Sequence, residues 1–139
     1  MRILLVEDNR GDQVIMQEAF QEAKVPCELD LVKDGVEAIE LLKREGQFKN
    51  AGRPDLIILD LNLPRKNGHE VLAEIKQHPT LKHIPVIVLS NSCSPNDVCD
   101  SYELRAKFYI RKPSGFQGFV DFAHMIRIFW IKLACYCTH

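Results

Sequence analysis

Residues 54–68 read PDLIILDLNLPRKNG. The apolar run Leu56-Ile57-Ile58-Leu59 is unbroken and then stops on a carboxylate, Asp60. A short continuous apolar run bounded by Pro and turn residues suits a strand covered on both faces, as in a parallel sheet flanked by helices. Two further runs have the same character, at residues 3–6 and 86–89. A fourth segment, residues 28–32, partly alternates polar and apolar residues and suits an edge strand with one wetter face. Phe108-Tyr109-Ile110, bounded by Lys107 and Arg111, is the fifth candidate.

Helical patterns fill the gaps. Asn9 can cap a helix with Ile15, Ala19 and Ala23 on one face beside Met16 and Phe20. Asp34 with Glu37 three residues on is a capping-box pattern ahead of Ile39, Leu41 and Leu42. Asn67 can cap a third helix carrying Val71, Leu72 and Ile75, and Pro95 suits the start of a fourth that runs toward Leu104. The last helix comes after Pro113 with Phe116, Phe119, Val120, Ala123, Ile126, Trp130 and Leu133. A strand–helix unit repeated five times predicts a parallel sheet with helices on both faces and right-handed crossovers. Residues 45–53 are expected to form a solvated loop.

The chain has 139 residues, 46% hydrophobic and 27% charged, enough for one domain with its own core. A net charge of −1 argues against a general electrostatic grip on nucleic acid or anionic membrane. The run at residues 3–6 is too short for a secretory signal or a membrane span, so a cytoplasmic protein is expected. Five cysteines, none spaced as CxxC, read as plain thiols, Cys135 and Cys137 near the end included.

The residues at the strand ends are more specific. The run at residues 3–6 is followed by Glu7-Asp8, that at 56–59 by Asp60 and that at 86–89 by Ser90, and Lys112-Pro113 stands just past Phe108-Tyr109-Ile110. Parallel strands share a carboxyl edge, where open α/β sheets bind their ligands. Neighbouring strands about 4.8 Å apart bring three carboxylates, a hydroxyl and an ammonium to one pocket. Clustered carboxylates hold a proton or bind a cation, and an all-oxygen set suits Mg²⁺. Lys112 and Ser90 can hold the oxygens of a phosphoryl group, and Asp60 can be its nucleophilic acceptor.

Taken together, LLVEDN (4–9), LIILDLNLPRKNG (56–68), VIVLSNS (86–92) and YIRKP (109–113) resemble the receiver domain of two-component response regulators. VKDGVEAIELL (32–42), LKHIPVIVLS (81–90) and the late Phe129-Trp130 pair narrow the resemblance. They are similar to the small single-domain regulators of cyanobacterial phytochromes and related bacterial histidine kinases. The resemblance implies a doubly wound, flavodoxin-like (βα)5 fold, strand order 2-1-3-4-5, over residues 1–139 with no output domain.

It also implies roles. Asp60 would accept a phosphoryl group from a histidine kinase, of phytochrome type on the narrower likeness. Asp8 and Glu7 would bind Mg²⁺, or Mn²⁺ in its place, with Asp60 and the backbone carbonyl of Asn62. Ser90 and Lys112 would hold the phosphoryl oxygens. Pro113 would follow a cis peptide bond, and Tyr109 would be the switch aromatic. Such a protein is a signalling phosphoacceptor rather than an enzyme, and it does not contact DNA or membrane directly. Asn91, Arg105 and Lys107 depart from the general pattern, Arg105 standing where receivers often have Gly.

Phe122, Ile128, Phe129 and Ile131 make the last helix apolar nearly all round. A homodimer through the last two helices and last strand is expected, with Phe122 and Phe129 at the interface. Three other functions share parts of the pattern. A small-molecule phosphatase would also use a strand-end Asp with Mg²⁺, but the third position of its Asp-x-Asp is Asn62 here. A flavin-mononucleotide binder would need a phosphate-cradling loop where EDNRGD is acidic. A pure interaction module would keep the pocket without its chemistry.

Overall fold

The computed structural model describes residues 1–91 and 94–137, with side chains described as far as Lys132 apart from those of residues 92 and 93. The expectation for Cys135 and Cys137 as plain thiols therefore lies outside the described side chains. The chain forms two compact units, one of Met1–Arg10 with Cys27–Lys112, the other of Gly11–Pro26 with Pro113 onward.

The first unit holds the sheet. Strands β1 (Arg2–Val6), β2 (Glu28–Val32), β3 (Leu56–Asp60), β4 (Val86–Ser90) and β5 (Phe108–Arg111) are all parallel, in the order β2-β1-β3-β4-β5. Winding reverses once, at β1 and β3, which is the doubly wound order. Every residue of β3 and β4 is buried, as their continuous apolar runs require. The edge strands β2 and β5 are half-exposed.

Helices α2 (Gly35–Lys43), α3 (Gly68–Gln77) and α4 (Pro95–Glu103) belong to the same unit. Alternate strand residues Leu4, Val6, Ile57, Leu59, Val86 and Val88 share one core with Ala38, Leu41 and Leu42 of α2 and Val71, Leu72 and Ile75 of α3. Period 2 on the strands thus meets period 3.6 on the helices. Each such fully buried Leu or Ile contributes roughly 1.5–3 kcal/mol.

Asn67 forms a full capping box with Glu70. Asp34 caps α2 by accepting the Glu37 N–H, but the Glu37 carboxylate accepts from the N–H of Lys33, so this box is only half closed. The expected loop at residues 45–53 contains a 3₁₀ turn, Gly46–Phe48, and Phe48 and Ala51 pack against the core. A second 3₁₀ turn, Leu81–His83, buries Leu81. Arg105 has φ +67, so a side chain stands where the backbone favours Gly.

The second unit contains α1 (Arg10–Glu22) from Gly11 onward and α5 (Gly115–Cys137). In α1 the buried residues are Gln13, Met16, Ala19 and Phe20, while Ile15 is only half-buried. In α5 they are Phe119, Val120, Phe122, Ala123 and Ile126. Phe122 corrects the expected interface. It lies three residues after Phe119 and four before Ile126, hence on the buried stripe, and its ring meets Phe20 at 6.5 Å between centroids. Phe129 is half-buried. The outward apolar residues are Phe116, Met125, Ile128 and Ile131, so Phe116 also departs from the expected core stripe. Among the described residues no helix is long and apolar enough to cross a membrane.

Candidate functional site: an acidic cluster at the strand ends

The site grows directly from strand register. Val6 pairs with Leu59, and Asp60 pairs with Leu89. Continuing the ladder by one residue aligns Glu7 with Asp60. On the β2 side of β1 the Glu7 N–H extends the pairing, donating to the Val32 carbonyl at 3.0 Å, so Glu7 keeps strand geometry. On the other side Ser90 pairs with Arg111, and the Lys112 N–H donates to the Ser90 carbonyl at 2.8 Å. Four strands therefore deliver Glu7, Asp8, Asp60, Ser90 and Lys112 to one edge.

Asp60 is 7% exposed, Glu7 4% and Ser90 1%, whereas Asp8 is open to solvent. One Asp60 oxygen, Oδ1, accepts the Asn62 N–H at 2.9 Å, and the other, Oδ2, takes Lys112 Nζ at 3.2 Å. Lys112 Nζ also lies 2.5 Å from Glu7 Oε1, and Glu7 Oε2 accepts the Asn9 N–H at 3.1 Å. Burial pushes the Glu7 carboxyl up to about 7, with Asp60's charge adding to the rise while Lys112 and the Asn9 N–H oppose it.

Glu7, Asp8 and Asp60 each offer an oxygen within 4.8 Å of the others. This donor set fits a hard divalent cation, for which one or two carboxylates, a carbonyl and water suffice. The ammonium of Lys112, set between Glu7 and Asp60, marks the same place as one that requires positive charge.

One expectation fails on geometry. Among the described residues there is no cis peptide bond, so the bond before Pro113 is trans. Lys112 is aimed inward without it, because its N–H is fixed on Ser90 and its ammonium on Glu7 and Asp60. Tyr109 is half-buried on β5, against the core, and its N–H donates to the Tyr102 hydroxyl at 3.2 Å. Asn91 is exposed just past Ser90.

The family model for the response regulator receiver domain matches residues 3–123. The chain belongs to the response regulator receiver family. This receiver is 44% identical over 130 residues to response regulator Rcp1 of Synechocystis sp., covering 94% of this chain and 88% of that protein. The crystal structure of Mn²⁺-bound Rcp1 superposes with a TM-score of 0.85 over 93% of each chain. That of the phosphorylated cyanobacterial phytochrome response regulator RcpA, 49% identical, superposes with a TM-score of 0.87 over 94% of this chain and 93% of the other. The receiver fold is thus the flavodoxin-like one expected. Membership sets aside the phosphatase and flavin-binding readings.

Sequence reasoning missed one pair beside this receiver site. Asp34 had a signal only as a helix cap, and Arg65 had none. The Arg65 guanidinium donates from Nε to Asp34 Oδ2 at 3.0 Å and from Nη2 to Oδ1 at 2.9 Å. Burial acts to raise the Asp34 carboxyl, but the bonds from Arg65 and the Glu37 N–H, with the Arg65 charge, outweigh it and hold the group below its ordinary value.

Proposed function

We propose that this chain is a single-domain response regulator that accepts a phosphoryl group on Asp60 from the phosphohistidine of a sensor histidine kinase. The observation that carries the reading is the Asp60 carboxylate itself, buried at the tip of β3 with Lys112 Nζ at 3.2 Å and two further carboxylates beside it. In the transfer a carboxylate oxygen of Asp60 forms the new O–P bond while the P–N bond to the donor imidazole breaks. The electron pair of that bond stays on the imidazole nitrogen, which recovers a proton.

Glu7, Asp8, Asp60 and the Asn62 carbonyl would hold Mg²⁺, with Mn²⁺ able to replace it. A bound divalent cation supplies neutralisation of the phosphoryl oxygens as charge develops on them. Lys112 moves its charge from the Asp60 carboxylate to the phosphoryl group it acquires, and Ser90 donates a hydrogen bond to the same group. Tyr109 answers that movement as the switch aromatic. The chain promotes only its own phosphorylation and slow dephosphorylation, so it is a signalling phosphoacceptor rather than a turnover enzyme.

The likeness to Rcp1 and RcpA supports a phytochrome-type kinase as donor and a cytoplasmic setting. In this reading the receiver passes its signal on by protein–protein contact. Self-association is part of this reading, through the exposed Ile128 and Ile131 of α5 with the half-buried Phe129 between them.

The test is intact-mass spectrometry after incubation with a small phosphoramidate, with and without Mg²⁺, on wild type and Asp60→Asn. One added phosphoryl group that requires both Mg²⁺ and Asp60 is expected. Its absence from folded wild-type protein in saturating Mg²⁺ overturns the reading.

A further inference from the structure

The loop after Asp60 is fastened by contacts that phosphoacceptor chemistry does not itself use. Asp34 is 3% exposed, and both its oxygens are engaged by the Arg65 guanidinium in a two-point contact. Arg65 has φ +64, a left-handed conformation that residues with a Cβ adopt only when their surroundings hold them there. The same loop is hemmed in on either side of Arg65. A Cβ on Gly35 would fall 2.0 Å from the Lys66 carbonyl oxygen, and one on Gly68 would fall 2.6 Å from that of Asp60. Residues 61–67 are therefore pressed between the start of α2 and the end of β3, with Arg65 tied to a buried carboxylate.

Asn62 lies in this loop. Its N–H orients Asp60 through Oδ1 at 2.9 Å, and its carbonyl is the backbone donor assigned to the cation. Asp8, Asp34 and Arg65 also line one open hollow of about 560 Å³ with Lys33, Glu37 and Pro64. The clamp and the cation ligand thus share a border.

We infer that Asp34 and Arg65 are positioning residues, a clamp that fixes the loop at 61–67 so that Asn62 presents its carbonyl to the cation and its N–H to Asp60. This deepens the phosphoacceptor reading and rests on it for the site's use, though cation binding tests it separately. Neither residue touches the reacting atoms. Both act through Asn62.

Charge alone makes the opposite prediction for one of the two, which gives a clean experiment. Removing the positive charge of Arg65 should tighten cation binding if only through-space electrostatics matter. Removing the two-point hold should loosen it if position matters. Asp34→Asn keeps an oxygen for the Glu37 N–H, so the cap of α2 survives. The Arg65 side chain is 55% exposed, so Arg65→Gln spares the core.

Mn²⁺ binding is measured on the full chain by electron paramagnetic resonance for wild type, Asp34→Asn, Arg65→Gln and the double variant, with melting temperature as the folding control. Both single variants are expected to bind Mn²⁺ about 3- to 10-fold more weakly, and the double no more weakly than the weaker single. Phosphorylation by a small phosphoramidate should need several-fold more Mg²⁺ for half-maximal rate, with a plateau within about twofold of wild type. Arg65→Lys, which keeps the charge but not the fork, should fall between wild type and Arg65→Gln.

Mn²⁺ binding by Arg65→Gln as tight as wild type or tighter overturns the inference, as do independent, additive losses in the double variant. If wild type takes up no phosphoryl group while Arg65→Gln still weakens Mn²⁺ binding, the phosphoacceptor reading fails and the clamp stands. If Asp60 is phosphorylated normally and Arg65→Gln leaves Mn²⁺ affinity unchanged, the clamp fails and the phosphoacceptor reading stands.

Discussion

Glu7 should make the cation-free protein less stable as pH rises, and one substitution should abolish most of that effect. Burial is the main reason its carboxyl is pushed from an ordinary 4.5 up to about 7. A carboxyl raised in the folded state binds its proton more tightly folded than unfolded. The sign comes from linkage: stability falls with rising pH wherever the folded state holds more protons. Below about pH 4.5 the group is protonated in both states and costs nothing. Between there and about pH 7 the cost of a buried charge grows, and above that window it is fully present. Allowing for solvent screening, its size is roughly 2–3 kcal/mol.

Glu7→Gln keeps the shape of the side chain and an oxygen for the Asn9 N–H or for Lys112, but it cannot ionise. Urea unfolding in the presence of a chelator, monitored from about pH 5 to about pH 8, is the assay. The wild-type minus variant difference should move against wild type by roughly 2 kcal/mol across that window. Saturating Mg²⁺ should restore wild type at the upper end far more than the variant. Parallel stability profiles for the two proteins would refute the reasoning, since the buried carboxyl would then carry no excess proton.

Local geometry sets the other expected outcomes. Arg105→Gly relieves a side chain held at φ +67 and should stabilise by about 0.5–1 kcal/mol in chemical denaturation, the gain in strain being partly offset by glycine's entropy. Gly35→Ala drives a methyl into the Lys66 carbonyl and should cost about 2 kcal/mol or more, with the displaced loop also weakening Mn²⁺ binding. Phe122→Ala should cost about 3 kcal/mol of folding stability by the same denaturation assay. Ile128→Glu, on an exposed position, should leave stability within about 0.5 kcal/mol yet abolish any self-association seen by analytical ultracentrifugation.

The strands are legible in the sequence because burial on both faces writes itself as unbroken apolar runs. β3 and β4 each extend one residue further than those runs. The apolar pattern ends at Leu59 and Leu89, but pairing continues through Asp60 and Ser90, since their backbones still find partners in the ladder. The site is legible for the same reason: register fixes which residues come after each strand, so Glu7, Asp60 and Lys112 have to converge. The illegible part depends on three dimensions at once. The Asp34–Arg65 pair spans 31 positions in sequence and needs a left-handed backbone that an arginine does not advertise. Phe122 reads as an interface residue because an apolar helix does not declare where its buried stripe stops, and the Phe20 ring shows which side it takes. The cis bond expected before Pro113 asks one residue to do what the Ser90 carbonyl and two carboxylates already do for Lys112.

These supports differ in kind, and the difference bears on how the site can work. Glu7, Asp60 and Lys112 have backbones held by the strand ladder, so the places from which their side chains reach cannot change without breaking sheet pairing. Asn62 stands on a loop whose geometry depends on one ion pair and two close backbone approaches. Substitutions in that pair or at the glycines of those approaches should therefore change cation affinity while leaving the backbone position of Asp60 fixed. Lys112 completes the logic from the other side. Its short contact with Glu7 and its longer one with Asp60 hold the acids together before any cation arrives. Because the Asp60 contact is the longer of the two, the ammonium can shift toward a new anionic group there while keeping Glu7 as its anchor.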